Sequence, residues 1–584
     1  MARTAYPRPE LRRDNWTNLN GEWEFEFDFS RSGLERGVVE KGTLDKTITV
    51  PFCPESELSG IGYKDFIGAC FYRRVMTLNP EEGKRILLNF EAAFHDTRVY
   101  VNGKLAGSHK GGYTPFTVDM TDYAVSGENA IVVYCEGDAR NFTQPSGKQC
   151  LNYYSKGCNY TRSTGIYATV WTETVPAIYL KQIKLDPDID NSKLFASLSF
   201  VGMGEKRVKL TAFLAGKKVG ETTGHTTAGA MRTAMDISEL SLWSIDTPTL
   251  YDLRVEVESD YGTDTVESYF GMRKVELDKE CLLINGKRVF QRLVLDQGFY
   301  GPGVYTAEED GDFAADIKRS QRLGFNGARL HERVFDRQFL YEADRLGYIV
   351  WGEYANWGFD HTDASALKYY LPEWAEAVAR DYNHPALIGW CPFNETWDWA
   401  CSPNRGRRQD DDLLREIYYE TKRLDEFRPV IDVSGNFHVV TDIYDIHDYN
   451  PNVDAYERRY SEEYFASEEG PFDNYGNRQS YGGQPYFISE YGGIRWTRDM
   501  GEKTEQSWGY GETPKDLRAF KDRYIGQTAV LMNSRHICGL CYTQLYDVEQ
   551  EQNGLYYYDR TPKFDDATMD ELAAVLKKKA AIEE

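Results

Sequence analysis

The residue pattern of this chain changes once, at about residue 278, and that change limits the possible folds more than any other feature. Downstream, apolar strand-like runs alternate with amphipathic helical stretches. The eight runs are VFQRLVL (289–295), FNGARL (325–330), YIVWGE (348–353), LIGWCPFN (387–394), VIDVSG (430–435), DIYDIHD (442–448), YFISEYG (486–492) and ICGLCYTQL (537–545). Between them lie helix patterns such as EEDGDFAADIKRSQRLG and DDLLREIYYETKRLDEF. Strands buried on both faces read as near-continuous apolar runs, and helical connectors bring each strand back parallel to the last. Eight such units predict a TIM barrel over 278–584, with the chemistry where the strands end at their C-termini.

Upstream the grammar is all-β. In GEWEFEFDF, Trp23, Phe25, Phe27 and Phe29 alternate with Glu22, Glu24, Glu26 and Asp28, which predicts a strand with one buried and one wet face. TRVYV and KLAGS flank Asn102-Gly103, a two-residue hairpin signal. Residues 1–180 therefore predict a jelly-roll β-sandwich, and 181–277, with four to seven further strands, an immunoglobulin-like sandwich.

Charge excludes some functions. Asp plus Glu number 92 against 68 Lys plus Arg, for a net charge of −24. That sign repels phosphate backbones and anionic lipid, so neither nucleic acid nor membrane is expected as a partner. No apolar stretch is long enough for a leader or a membrane span, which predicts a cytoplasmic protein. Cys538 and Cys541 form a C-x-x-C inside an apolar run and read as small buried side chains; no spacing of His, Cys, Asp or Glu matches a metal motif, and no cofactor is implied.

The strand ends carry Asp296, Arg329 and His331, Glu353, Asn394 and Glu395, His447 to Tyr449, Glu490, and Gln544. A mouth lined with carboxylates, one arginine and aromatic rings suits glycoside cleavage, which needs one carboxyl to protonate the leaving oxygen and another as nucleophile or base. Glu395 and Glu490 stand out because each follows an unbroken apolar run, and strands four and seven would aim them at each other across the pore. Asn394 can hydrogen-bond a sugar hydroxyl. His331 and His447 fit either sugar ligands or internally satisfied histidines.

These motifs resemble glycoside hydrolase family 2, the family of β-galactosidases and β-glucuronidases. NLNGEW (18–23), RVYVNGKLAGSHKGGYTPF (98–116), GIYATVWTE (165–173), LWSIDTPTLYDLRVEV (242–257), GFNGARLH (324–331), DRLGYIVWGE (344–353), GWCPFNETW (389–397) and FISEYGG (487–493) resemble its signatures in one order. The resemblance implies Glu395 as acid/base, Glu490 as nucleophile, Arg329 holding that nucleophile ionised, Asn394 on the C2 hydroxyl and Tyr449 beside Glu490. It also implies Asp296, His447 and Gln544 as sugar contacts, and Trp351 or Trp397 as an apolar wall that raises the acid's pKa. There are departures: Leu293 follows Arg292 where the family has Gly, and the Asn-x-Lys tripeptide with which β-glucuronidases hold the sugar carboxylate is missing from residue 290 onward.

The expected activity is thus exo-acting, retaining hydrolysis of a terminal β-linked sugar in a glycoside or oligosaccharide, with β-galactoside as the first expectation. A β-glucuronide or an arabinosyl, fucosyl or galactofuranosyl unit are the alternatives within the family. A non-catalytic carbohydrate-binding protein is the alternative outside it. The resemblance also leaves a homo-oligomer open.

Overall fold

The computed structural model describes residues 3–397 and 408–584. The N-terminal sandwich packs a six-stranded antiparallel sheet, centred on Ala69–Leu78 and Gly127–Glu136, against a four-stranded one that includes Lys84–Phe90 and Val170–Pro176. Trp23, Phe25, Ile48, Tyr72, Leu88, Phe90 and Val99 form its core. The alternation seen in GEWEFEFDF holds at Trp23 and Phe25 and then stops, because the strand ends at Phe27. Asp28 is buried instead, accepting the backbone N–H of Gly33 at 2.7 Å, while Glu26 pairs with Lys41 at 2.7 Å and Phe29 turns out to solvent.

Pairing passes to a second sandwich after Pro176. Its seven strands lie in a three-stranded sheet (Tyr179–Asp188, Lys193–Val201, Ala230–Asp236) and a four-stranded one built around Lys206–Leu214 and Tyr251–Ser259. Arg13, from the N-terminal segment, locks the two sandwiches together by binding Glu173 at 2.9 Å and Asp264 at 2.8 Å.

All eight expected barrel strands are present: β1 (Gln291–Asp296), β2 (Gly327–Leu330), β3 (Ile349–Glu353), β4 (Leu387–Cys391, resuming at Phe393–Asn394), β5 (Val433–Ser434), β6 (Tyr444–Asp448), β7 (Tyr486–Gly492) and β8 (Ile537–Thr543). Seven form one parallel sheet in the order β4-β3-β2-β1-β8-β7-β6, and β5 pairs with the continuation of β4. Side chains join β5 to β6, with Ser434 Oγ donating to Asp445 at 2.7 Å. Cys538 and Cys541 are fully buried on β8. Among the described residues no helix is long and apolar enough to cross a membrane.

The sandwich reaches the barrel mouth through the segment 138–165. The backbone N–H groups of Ser146 and Gly147 donate to the Trp357 carbonyl at 3.0 and 2.9 Å, beyond the end of β3. On the far side, the Gly157 carbonyl accepts from Trp508 at 2.9 Å, beyond the end of β7, and from Gln550 at 2.7 Å, beyond the end of β8. The mouth is therefore walled by two domains.

Candidate active site

Arg329 organises the mouth from the end of β2. Its guanidinium, 1% exposed, donates to Glu353 at 2.7 Å, to Glu490 Oε1 at 3.0 Å and to Asn394 Oδ1 at 3.0 Å, so that one planar donor fork fixes three strands. Tyr449 donates to the other Glu490 oxygen at 2.5 Å, and its ring stacks on Tyr510 at 3.5 Å between centroids. Burial pushes the Glu490 carboxyl up, but His447 and Arg329 outweigh it and hold the pKa below the ordinary carboxylate range.

Glu395 faces Glu490 across the pore. Its φ of +44° lies in the left-handed region, a strained setting for a residue with a Cβ. His447 Nδ1 bonds Glu395 Oε1 at 2.6 Å and lies 3.3 Å from Glu490 Oε2. One oxygen of each glutamate and a ring nitrogen of His447 all fall within 4.8 Å of one another. These three are donors that a metal could also use, but their present contacts are those of a proton-bridged set. Gly435 makes room for this histidine, because a Cβ there would stand 2.4 Å from its ring.

The expected apolar wall around Glu395 is corrected by the structure. Trp397 presents its indole N–H to Glu395 Oε2 at 3.4 Å, packed edge-on to Phe437 and Tyr475. Burial raises the Glu395 pKa, but the hydrogen bond and charge of His447 overcome that and bring it down to about 2. The His447 pKa rises for the matching reason: desolvation opposes its charge, and the two glutamates more than compensate. Both shifts favour a proton on the imidazole over one on Glu395.

Other expected contacts divide. His331 bonds Glu353 at 3.1 Å and belongs to the same buried network. Trp351 is a layer below the mouth, donating to Gln291 at 2.7 Å inside the barrel, so it lines no sugar site. Asp296 takes the Tyr546 hydroxyl and the Gly298 N–H, and burial lifts its pKa to about 6. Gln544 is fully buried, its amide spent on Gln297 and Asn553 at 2.7 and 2.8 Å.

Four neighbours come from no strand-end motif. Trp357 donates to the Asn394 carbonyl at 3.0 Å. Glu332, at φ +56°, is buried with its pKa pushed well up by desolvation. Glu551 takes the Tyr160 hydroxyl from the sandwich segment. Lys148, from that same segment, lies over the Trp357 ring at 3.4 Å. A lone lysine in a loop carries no periodic signal.

Comparison with known proteins identifies the domains. Models of glycosyl hydrolases family 2 match in order: the sugar binding domain over residues 62–140, the central domain over 178–273 and the TIM barrel domain over 338–575. A β-glucuronidase of Paenibacillus borealis is 26% identical over 463 residues, 73% of this chain and 74% of that protein. A β-galactosidase of Thermoanaerobacter pseudethanolicus is 26% identical over 450 residues, 70% of this chain and 54% of that one. The chain spans 43% of the length of a further relative, from Formosa agariphila. The solved structure of Bifidobacterium dentium β-glucuronidase with coumarin-3-O-glucuronide superposes with a TM-score of 0.79 at 20% identity, covering 97% of this chain and 98% of that one.

Proposed function

Because the chain belongs to the glycosyl hydrolases of family 2, we propose that it removes one terminal β-linked sugar by retaining double displacement at Glu395 and Glu490. The observation that carries this reading is the approach of the two carboxylates within 4.8 Å of each other. Retaining enzymes hold their pair about 5–5.5 Å apart, whereas inverting ones leave about 6.5–9.5 Å for a water.

Glu490, held ionised by Arg329 and Tyr449, attacks the anomeric carbon. The glycosidic C–O bond breaks, and the departing oxygen takes the proton that the His447–Glu395 pair holds. A water deprotonated by Glu395 then cleaves the glycosyl–Glu490 ester, and the sugar leaves with its configuration retained. Asn394 keeps its amide nitrogen for the C2 hydroxyl, because its oxygen is already bound to Arg329.

For the sugar, a β-glucuronide displaces the first expectation of a β-galactoside. Most of the curated relatives are β-glucuronidases, and fewer are β-galactosidases. A panel of 4-nitrophenyl β-glycosides tests this, with the highest kcat/KM expected on the β-D-glucuronide. A best rate on the galactoside reinstates the first expectation, and binding without turnover of any glycoside favours the carbohydrate-binding alternative.

A further inference from the structure

A uronide site needs a cation for the C6 carboxylate, and in this barrel the cations at the strand ends are already engaged. Arg329 is committed to Glu353, Glu490 and Asn394, and His447 to the two glutamates. The Asn-x-Lys tripeptide is missing from the barrel segment. Among the described residues one further cation, Lys148, reaches the mouth. Lys148 is 5% exposed, and among the described residues its ammonium makes no hydrogen bond and no ion pair. Burial works against that charge, but Cys158, Glu332, Glu395 and Glu551 outweigh it and hold the Lys148 pKa above its ordinary value, so the ammonium stays charged at the mouth without a direct hydrogen bond.

Lys148 is held there by construction. Ser146 and Gly147 hang from the Trp357 carbonyl, and the Lys148 carbonyl accepts the Tyr160 N–H at 2.7 Å. A Cβ at Gly147, whose φ is +56°, would stand 2.4 Å from the Glu332 carbonyl, so the segment lies hard against the barrel rim. The Trp357 ring beneath the ammonium is joined through its indole N–H to Asn394, the residue beside Glu395. Lys148 is thus one side chain removed from the reacting centre. The acids nearest to it, Glu332 and Glu551, have their own pKa raised by burial, and the charge of Lys148 works against that rise. Glu332 Oε1 is buried with no hydrogen-bond partner, which leaves a carboxylic acid free to donate to an incoming anion.

We propose that Lys148, delivered by the N-terminal sandwich, binds the C6 carboxylate of the substrate and selects uronides over neutral sugars. This rests on the uronide reading above. The mouth is then assembled from two domains with separate duties, the barrel supplying the chemistry and the sandwich segment the anion contact.

The test compares 4-nitrophenyl β-D-glucuronide with the β-D-glucoside, which differs only in carrying CH2OH at C6. Wild type, Lys148→Met and Lys148→Arg are assayed as full chains, with thermal unfolding to confirm folding. Lys148→Met is expected to lower kcat/KM on the glucuronide about 100-fold, mainly through KM, and to lower the glucuronide-to-glucoside ratio at least tenfold. Lys148→Arg, which keeps the charge, should recover part of that ratio. An equal loss on both sugars, or a ratio that Lys148→Met leaves unchanged, overturns the assignment of Lys148 alone. A wild-type enzyme with no glucuronidase activity overturns the uronide reading, and this inference with it. Should Lys148→Met not fold, competitive inhibition of wild type by free D-glucuronate against D-glucose decides: stronger inhibition by the glucuronate supports the proposal, and equal inhibition overturns it.

Discussion

The barrel strand ends and the sandwich segment 138–165 face each other across one mouth, yet they are built differently. At the strand ends, each functional side chain is fixed by the ladder beneath it and by charge-assisted bonds such as Arg329 to Glu353 at 2.7 Å and to Glu490 at 3.0 Å. The sandwich segment contains no regular element longer than a bridge between residues 137 and 164, and it is held by backbone contacts to rims that are themselves loops. The geometry the reaction needs lies on the rigid side, and parts of the wall that can vary lie on the other.

Substitutions can break or sharpen that contrast. The largest effect is expected for Glu490→Ala, which should cut turnover about 10,000-fold on every glycoside while leaving the melting temperature nearly unchanged. Added azide should rescue it and yield a glycosyl azide of inverted configuration; unimpaired turnover would falsify the site. Next is the support beneath the strand ends. His438 lies buried between Asp432 at 2.8 Å and Asp445 at 3.2 Å, with its pKa raised to about 10 because the two aspartates overcome desolvation. Its folded pKa exceeds the unfolded value of about 6.5, so its contribution is complete below that pH and is lost as pH rises through about 10. Chemical denaturation across that window should show the decline, and His438→Asn should cost about 3 kcal/mol and flatten it.

A smaller effect concerns the proton. His447 carries the proton of its pair with Glu395, so the alkaline limb of the wild-type kcat/KM profile should lie above 6.5, the ordinary histidine value. In His447→Gln the proton belongs to the carboxyl alone, and the limb should move to lower pH with about a tenfold loss of rate. A limb that stays in place shows that His447 does not share the proton. The mildest change is on the loop side. Gly147→Ala forces a Cβ against the Glu332 carbonyl, and is expected to raise KM about tenfold while kcat changes less. A fall in kcat alone would show that the sandwich segment governs chemistry after all.

Sequence alone exposed one of these regions and hid the other. Parallel strands covered on both faces leave unbroken apolar runs, so all eight barrel strands could be read, and an acid that closes such a run is conspicuous, as Glu395 and Glu490 are. Position along a strand does not report depth in the barrel, which is why Trp351, two residues before Glu353, reads as a wall residue yet packs a layer lower. Nor does it report which way the chain turns beyond its last ladder bond, so Asp296 reads as a sugar contact although it binds Tyr546. Lys148 and Trp357 sit in segments without period, and what joins them is a contact between residues about 200 positions apart.

Segment 138–165 crosses from sandwich to barrel at the place where a glycoside would lie, over a barrel core that already takes in Phe94, Tyr113 and Tyr160 of the sandwich. Any occupant of that gap touches both bodies and acts as a clamp between them. Saturating inhibitor should therefore raise the melting temperature of the chain, so that calorimetry registers occupancy without a bond being broken.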